Sequence, residues 1–255
     1  MRLFRSAAAA AVLIAAAGTA SSGGPIPDAV EAAPPGSEVL SYTAEWRFIH
    51  AGNVRLTWSP EGSGWTARMH LESAGMVSSF YKVDNDYASL LDRQYCAVSL
   101  NLRASEGSRR HETSVTFDAA RRKASYRDRD LVKNVTVTHE IDVQPCAQDA
   151  IGALYALRRL RLEPSRSAEI PVSDGNRAVV GRVEAQERET VKTASGTYKT
   201  IRYEAFLFNN VLYRRRGRLF VWITDDDRRL PVQIRIRMPF YIGTVNLQLE
   251  KVSKR

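Results

Sequence analysis

The sequence predicts a mainly β protein: a strongly curved antiparallel sheet, barrel-like or half-barrel, with one covering helix. Three observations carry this. The dominant hydropathy period is two, clearest in VQIRIRMPF (232–240) and TVNLQLEKV (244–252). Turn clusters such as Pro60-Glu61-Gly62, Ser105-Glu106-Gly107, Ser173-Asp174-Gly175 and Ser195-Gly196 break the chain at short intervals. One stretch alone has a convincing helical period. Many short strands at close spacing mean an antiparallel architecture.

Taken in order, the chain opens MRLFRSAAAAAVLIAAAGTASSGG. Arg2 and Arg5, a short apolar run and the small residues of Gly18-Thr19-Ala20 read as a signal peptide over 1–20, too short for a comfortable membrane span. Residues 21–37, with Pro25, Pro27, Pro34 and Pro35, read as a flexible leader. Residues 38–253 then form a single β-rich domain. No later run is apolar for long enough to cross a bilayer, so no transmembrane segment is expected in the mature chain. The product is expected in the periplasm or secreted.

Strands are predicted at 38–49, 53–59, 64–73, 96–103, 111–118, 122–127, 134–142, 168–173, 176–187, 197–208 and 217–224, followed by the two alternating runs above. Val232, Ile234, Ile236, Met238 and Phe240 fall on one face of the first run, and Gln233, Arg235 and Arg237 on the other. A short helical stretch is predicted at 76–83 and the long helix at about 147–161, with Asp149 early, Arg158, Arg159 and Arg161 late, and Pro164 beyond. In RLFVWIT, Leu219, Val221 and Ile223 oppose Phe220 and Trp222. A strand apolar on both faces needs a helix, a second sheet or a ligand over its second face, and the long helix is the cover expected. WRFIHAGNVRLTW echoes IRMPFYIGTVNLQL, as though two bent hairpins stood at corresponding corners of the sheet.

The two cysteines, Cys96 and Cys146, are read as a disulfide, as an exported chain favours. A fifty-position bridge stabilises by roughly 4 kcal/mol in the chain-entropy model. It would pin the start of the long helix against the sheet.

The formal net charge is +9. Its basic residues are spread along the chain, which reads as solubility, and nucleic acid is not an expected partner. His50, His70, His111 and His139 are the histidines. His111 and His139 each precede a glutamate, but neighbours on a strand face opposite sides, so neither pair can easily hold one ion. H-E-x-x-H is absent, and no metal or cofactor is expected. No G-x-S-x-G elbow, P-loop or G-x-G-x-x-G occurs. Arg214, Arg215, Arg216 and Arg218 could hold a phosphate or an anionic head group, but a solvated basic turn is the reading preferred. Asp225-Asp226-Asp227 looks most like an acid–base or metal site. It lies between two strands, is followed by Arg228, Arg229 and Pro231, and reads as a hairpin turn.

Four segments in order carry a resemblance: SSFYKVDNDYASLLD (78–92), QDAIGALYALRRL (148–160), ETVKTASGTYKTIRYE (189–204) and GRLFVWITDDDRRLPVQIRIRMPFYIGTVNLQLEKV (217–252). Together they resemble the exported bacterial family catalogued as domain of unknown function 3108. The resemblance implies a β-rich exported domain, a strand following Phe80-Tyr81-Lys82-Val83 in the first of these segments, and no assigned catalytic residues. The expectation is a non-enzymatic module of the cell envelope that binds a lipid, a lipoprotein segment or another apolar ligand. A scaffold for another envelope protein and an enzyme acting on an envelope polymer are the alternatives. The residues that would bind a ligand are not identifiable from the sequence.

Overall fold

The computed structural model describes residues 36–254. The signal-peptide reading of 1–20 and most of the 21–37 leader fall outside them. The first half contains β1 (Glu38–Trp46), β2 (Ile49–Glu61), β3 (Gly64–Ser73), the short helix α1 (Gly75–Phe80), β4 (Val83–Leu91), β5 (Ala97–Glu106), β6 (Arg109–Asp118), β7 (Lys123–Asp130) and β8 (Val135–Asp142). Helix α2 (Ala150–Arg159) follows. The second half contains β9 (Ser167–Ser173), β10 (Ala178–Thr193), β11 (Gly196–Ala205), β12 (Arg218–Thr224), β13 (Pro231–Arg237) and β14 (Thr244–Lys254).

All fourteen strands form one antiparallel sheet, in the order β8-β7-β6-β5-β4-β3-β2-β1-β14-β13-β12-β11-β10-β9. Each half is a meander, and β1 pairing with β14 joins them. Strands β8 and β9 do not pair, so the half-barrel form of the prediction is the one adopted. The sheet is rolled on itself. The β9–β10 turn packs beneath the inner face of β6 and β7, where a Cβ added to Gly175 would meet Val115 Cγ2 at 2.5 Å. Its φ of +85° excludes most other residues as well. The β9 edge is blunted: Pro171 lacks an N–H, and Gln148 forms a parallel bridge beside Val172.

Helix α2 fills the concave side. Ile151 and Tyr155 enter one core cluster with Leu40, Tyr42, Leu56 and Trp58. Leu157 enters a second with Ile170, Val183, Ile201 and Ile223. The Tyr155 ring stacks on Trp58 at 3.7 Å, and Trp58 packs in turn on Trp65 and Tyr95 at 5.2 Å each. Asp149 caps the helix, accepting from the amides of Ile151 at 2.9 Å and Gly152 at 2.8 Å. Ser89 Oγ donates to the other carboxylate oxygen. Cys96 and Cys146 are bridged, with Cα atoms 4.5 Å apart, and Ala97 donates to the Ala147 carbonyl at 2.9 Å. The helix start is thus tied to the head of β5.

The other end of α2 is held by a reciprocal arginine exchange. Buried Arg158 pairs with buried Glu38, and its Nε donates to the Arg229 carbonyl at 2.8 Å. Arg229, equally buried, donates back to the carbonyls of Arg158 at 3.2 Å and Leu160 at 2.8 Å. Its guanidinium also reaches the Tyr203 hydroxyl at 2.8 Å. Tyr155 OH completes the cluster on Glu38 at 2.8 Å. The orphan carbonyls of a helix end are thereby satisfied by a side chain from the β12–β13 turn.

Four expectations change. Helix α2 is shorter than 147–161, because Gln148 is committed to the β9 edge and Asp149 is the cap rather than part of the first turn. Strand β4 is absent from the period-two reading, because its inward positions include Asn85 and Ser89. Both are buried, and both are satisfied: Asn85 Nδ2 donates to Glu106 Oε1 at 2.9 Å, and Asn85 Oδ1 accepts from the Ser105 amide at 2.9 Å. The 232–240 alternation stops at Arg237, leaving Phe240 in a turn, and a register shift opposite Trp222 and Ile223 puts Val232 and Ile234 in different clusters. The second face of β12 is covered by arginines rather than by α2. Arg202 and Arg218 stack on Phe220, Arg235 stacks on Trp222, and Trp222 Nε1 donates to Glu189 Oε2 at 3.0 Å.

Two outcomes follow. Glu38→Gln leaves Arg158 buried without its counter-charge and should lower unfolding stability by about 3–5 kcal/mol in urea titration, whereas Glu38→Leu with Arg158→Met should recover most of that loss. Burial raises the pKa of Asp149 above the ordinary carboxylate value, against the hydrogen bonds from Gly152, Ser89 and Ile151. The unfolded chain therefore releases this proton first as pH rises above about 4, and Asp149 favours the fold less across the window up to its folded pKa. The stability difference between wild type and Asp149→Asn should change in that window, and a flat difference curve would contradict the assignment.

Candidate functional site

The acidic triplet is a structural turn. Asp226 accepts from Thr224 Oγ1 at 2.6 Å, from the amides of Arg228 and Arg229 at 3.2 Å each, and from the Arg228 guanidinium. Burial opposes its ionisation, but the Thr224 and Arg228 hydrogen bonds outweigh it and hold its pKa below the usual value. Asp225 pairs with Arg188 at 2.8 Å and Asp227 with Arg161 at 2.7 Å. Each carboxylate thus has its own arginine, and the turn sets Arg229 at a φ of +48° under the end of α2. Chemistry at a free carboxylate pair has no geometry here.

The other polar candidates also separate. His111 Nδ1 lies 3.0 Å from Asp128, on the inner face with Val115, as a satisfied histidine does. His139 stacks on Tyr126 at 4.6 Å. Arg218 binds both oxygens of buried Glu204 at 2.7 Å each, which depresses the Glu204 pKa. His70, Asp84 and Asp86 bring ligand atoms within 4.8 Å of one another, but they are open to solvent and His70 is engaged by Asp86 at 2.9 Å.

The unaccounted feature is apolar and lies at one end of the sheet. Strands β1 and β2 are joined by a two-residue turn, Arg47-Phe48, with φ values of +51° and +67°. Both central positions of such a turn favour Gly, Asn or Asp. Holding Arg and Phe there costs roughly 1–2 kcal/mol per residue. Phe48 is nonetheless 100% exposed. The β13–β14 turn stands beside it. Arg47 donates to the Phe240 carbonyl at 2.7 Å, and Trp46 Nε1 to the Ile242 carbonyl at 2.7 Å. The Arg47 guanidinium lies over the Trp46 and Phe240 rings. Phe240 is 94% exposed and Tyr241 projects with it. Helix α1 completes the end: it packs on β2, Ala74 donates to the Ala51 carbonyl at 2.9 Å, and Met76 and Phe80 face solvent. Lys82 and Arg237 flank the aromatic groups, both exposed.

The sequence reading missed these residues. The two phenylalanines of the turns fall within predicted strands, Phe240 in the 232–240 alternation and Phe48 in 38–49. The echo between the two segments was the available signal, since the two hairpins it names are the neighbours bound by Arg47 and Trp46. Gly52, within the first of these segments, sits in β2, where an added Cβ would meet the Glu72 carbonyl oxygen.

Comparison with known proteins bears on fold and family. The family described as protein of unknown function (DUF3108) matches residues 41–250. No curated protein matches the sequence. Among solved structures, the chain is similar to a beta-barrel-like protein of domain of unknown function DUF1849 from Brucella abortus. The TM-score is 0.58 at 8% identity, over 88% of this chain and 100% of that one. A protein with a YmcC-like fold from Bacteroides fragilis superposes at a TM-score of 0.39 and 8% identity, over 89% of this chain and 100% of that one.

Exchanging the turn chemistry tests the role given to the triplet. Asp226→Ala should lower stability by about 1–2 kcal/mol through the lost turn bonds, while Asp227→Ala, exposed, should change it by less than about 0.5 kcal/mol. Thermal unfolding of the two variants checks the order, and equal losses would contradict it.

Proposed function

This chain belongs to the protein family of unknown function DUF3108, and from its geometry we propose that it is a non-catalytic cell-envelope module that docks on a lipid surface through the aromatic end of its sheet. The family and the solved fold it resembles are of unknown function, and neither points to a reaction. Helix α2 and the Trp58–Tyr155 stack occupy the concave side, where an acyl chain would have to lie. The apolar ligand is therefore met at the surface. Among the described residues no helix is long and apolar enough to cross a membrane.

The observation that carries this reading is Phe48. A strained turn presents a fully exposed ring, and Phe240, Tyr241, Phe80 and Met76 stand at the same end. Aromatic side chains favour the level of the lipid head groups, and flanking Arg and Lys favour anionic lipid. Strain that persists at an exposed residue is best explained by what that residue does. Docking on another envelope protein is the second reading of the same surface.

Co-sedimentation with vesicles of equal parts phosphatidylethanolamine and phosphatidylglycerol tests the proposal. Wild type should pellet with the vesicles. Phe48→Asn should reduce partitioning about ten-fold or more, as loss of roughly 2 kcal/mol of buried phenyl implies. The same substitution should leave thermal stability unchanged or higher, because Asn tolerates the left-handed backbone. No vesicle binding by wild type, or binding indifferent to Phe48→Asn and Phe240→Ser, would overturn the lipid reading.

A further inference from the structure

A second surface lies on the face of β2–β7 turned away from α2. An open groove of about 730 Å³ is lined by five arginines, Arg55, Arg68, Arg103, Arg127 and Arg129, against two carboxylates, Asp86 and Glu112. The sheet register explains its shape. Arg68 on β3 pairs with Ala88, Ala88 with Asn101, Asn101 with Ser114, and Ser114 with Arg127 on β7. Small residues on three adjacent strands floor the groove, and a long arginine stands on each side. The walls are four strand spacings apart, about 19 Å. In the next row Arg55, His70, Asp86, Arg103, Glu112 and Arg129 follow strand by strand.

The carboxylates do not neutralise this row. Asp86 accepts from His70 at 2.9 Å, and Glu112 lies 3.5 Å from Arg103. Arg55, Arg68, Arg127 and Arg129 form no ion pair among the described residues. Guanidinium groups recognise carboxylate and phosphate oxygens, two at a time where geometry permits. A single small anion cannot reach both walls. The floor adds an amide from Asn101 and a hydroxyl from Ser114, groups of the kind that hydrogen-bond sugar hydroxyls. Stacked bases need an aromatic platform; of the ring side chains along the groove, Tyr87 points to the inner face and packs against the core, and His70 is engaged by Asp86 at 2.9 Å.

We propose that this groove binds an extended acidic oligosaccharide, its anionic groups held by Arg68, Arg127 and the second arginine row, and its hydroxyls by Asn101 and Ser114. The site is separate from the aromatic end.

Isothermal titration of the full chain with trigalacturonate tests it, with the methyl-esterified trisaccharide as the uncharged control. Saturable binding is expected for the acid and none for the ester. Arg68→Gln with Arg127→Gln should weaken binding at least ten-fold, while Arg166→Gln with Arg216→Gln removes the same charge elsewhere and should leave it within two-fold. Circular dichroism checks that both variants fold. The proposal is overturned if wild type shows no saturable binding, if the two double variants lose affinity equally, or if an oligodeoxythymidine of equal charge binds as tightly.

Discussion

Arg158 and Arg229 cross at the C-terminal end of α2, each guanidinium donating to the other residue's carbonyl, over the buried carboxylate of Glu38. Two buried cations can persist in a protein interior only if every donor is answered. Here the answers come from β1, from the β12–β13 turn and from the last carbonyls of α2. One cluster thereby joins the first strand, the β12–β13 turn and the helix between the two halves of the sheet. The disulfide does the same at the N-terminal end, tying the head of β5 to the segment before Asp149. An open fourteen-stranded sheet has no closure to fix its curvature. The helix, held at both ends, supplies it.

Function follows from what that arrangement leaves available. With the concave side filled by α2 and its aromatic stack, the surfaces left open are the rims and the outer face. The rim carries Phe48 at a φ of +67°, braced by Arg47 and Trp46 on the neighbouring turn. The outer face carries arginines left without acidic partners. The proposed non-catalytic role draws on this arrangement of a filled interior and exposed outer groups.

Much of the fold was legible because the sheet is two meanders. Nearly every strand pairs with its sequence neighbour, so local alternation and turn residues report the topology directly. The turn nature of Asp225–Asp227 was legible from turn chemistry, and the Cys96–Cys146 bridge from the presence of two cysteines in a chain read as exported. What escaped was non-local. Strand β4, implied by the family resemblance alone, is hidden from hydropathy by Asn85 and Ser89, whose burial depends on Glu106 and Asp149 elsewhere in the chain. The cover over Phe220 and Trp222 comes from Arg202, Arg218 and Arg235 on three strands, which hydropathy scores as solvent-facing. Phe48 and Phe240 look like core residues in one dimension, and only their turns show that they are not.

The central claim is that α2 is a fixed part of the core and not a lid over a ligand cavity. Native-state hydrogen exchange of the α2 amides, read residue by residue, tests it most directly. The account predicts that the amides of Leu154 to Arg158 exchange only with global unfolding, together with those of β1 and β13. Exchange of α2 through a separate, lower-energy opening while β1 and β13 stay protected would contradict it and return the concave side to consideration as the binding site.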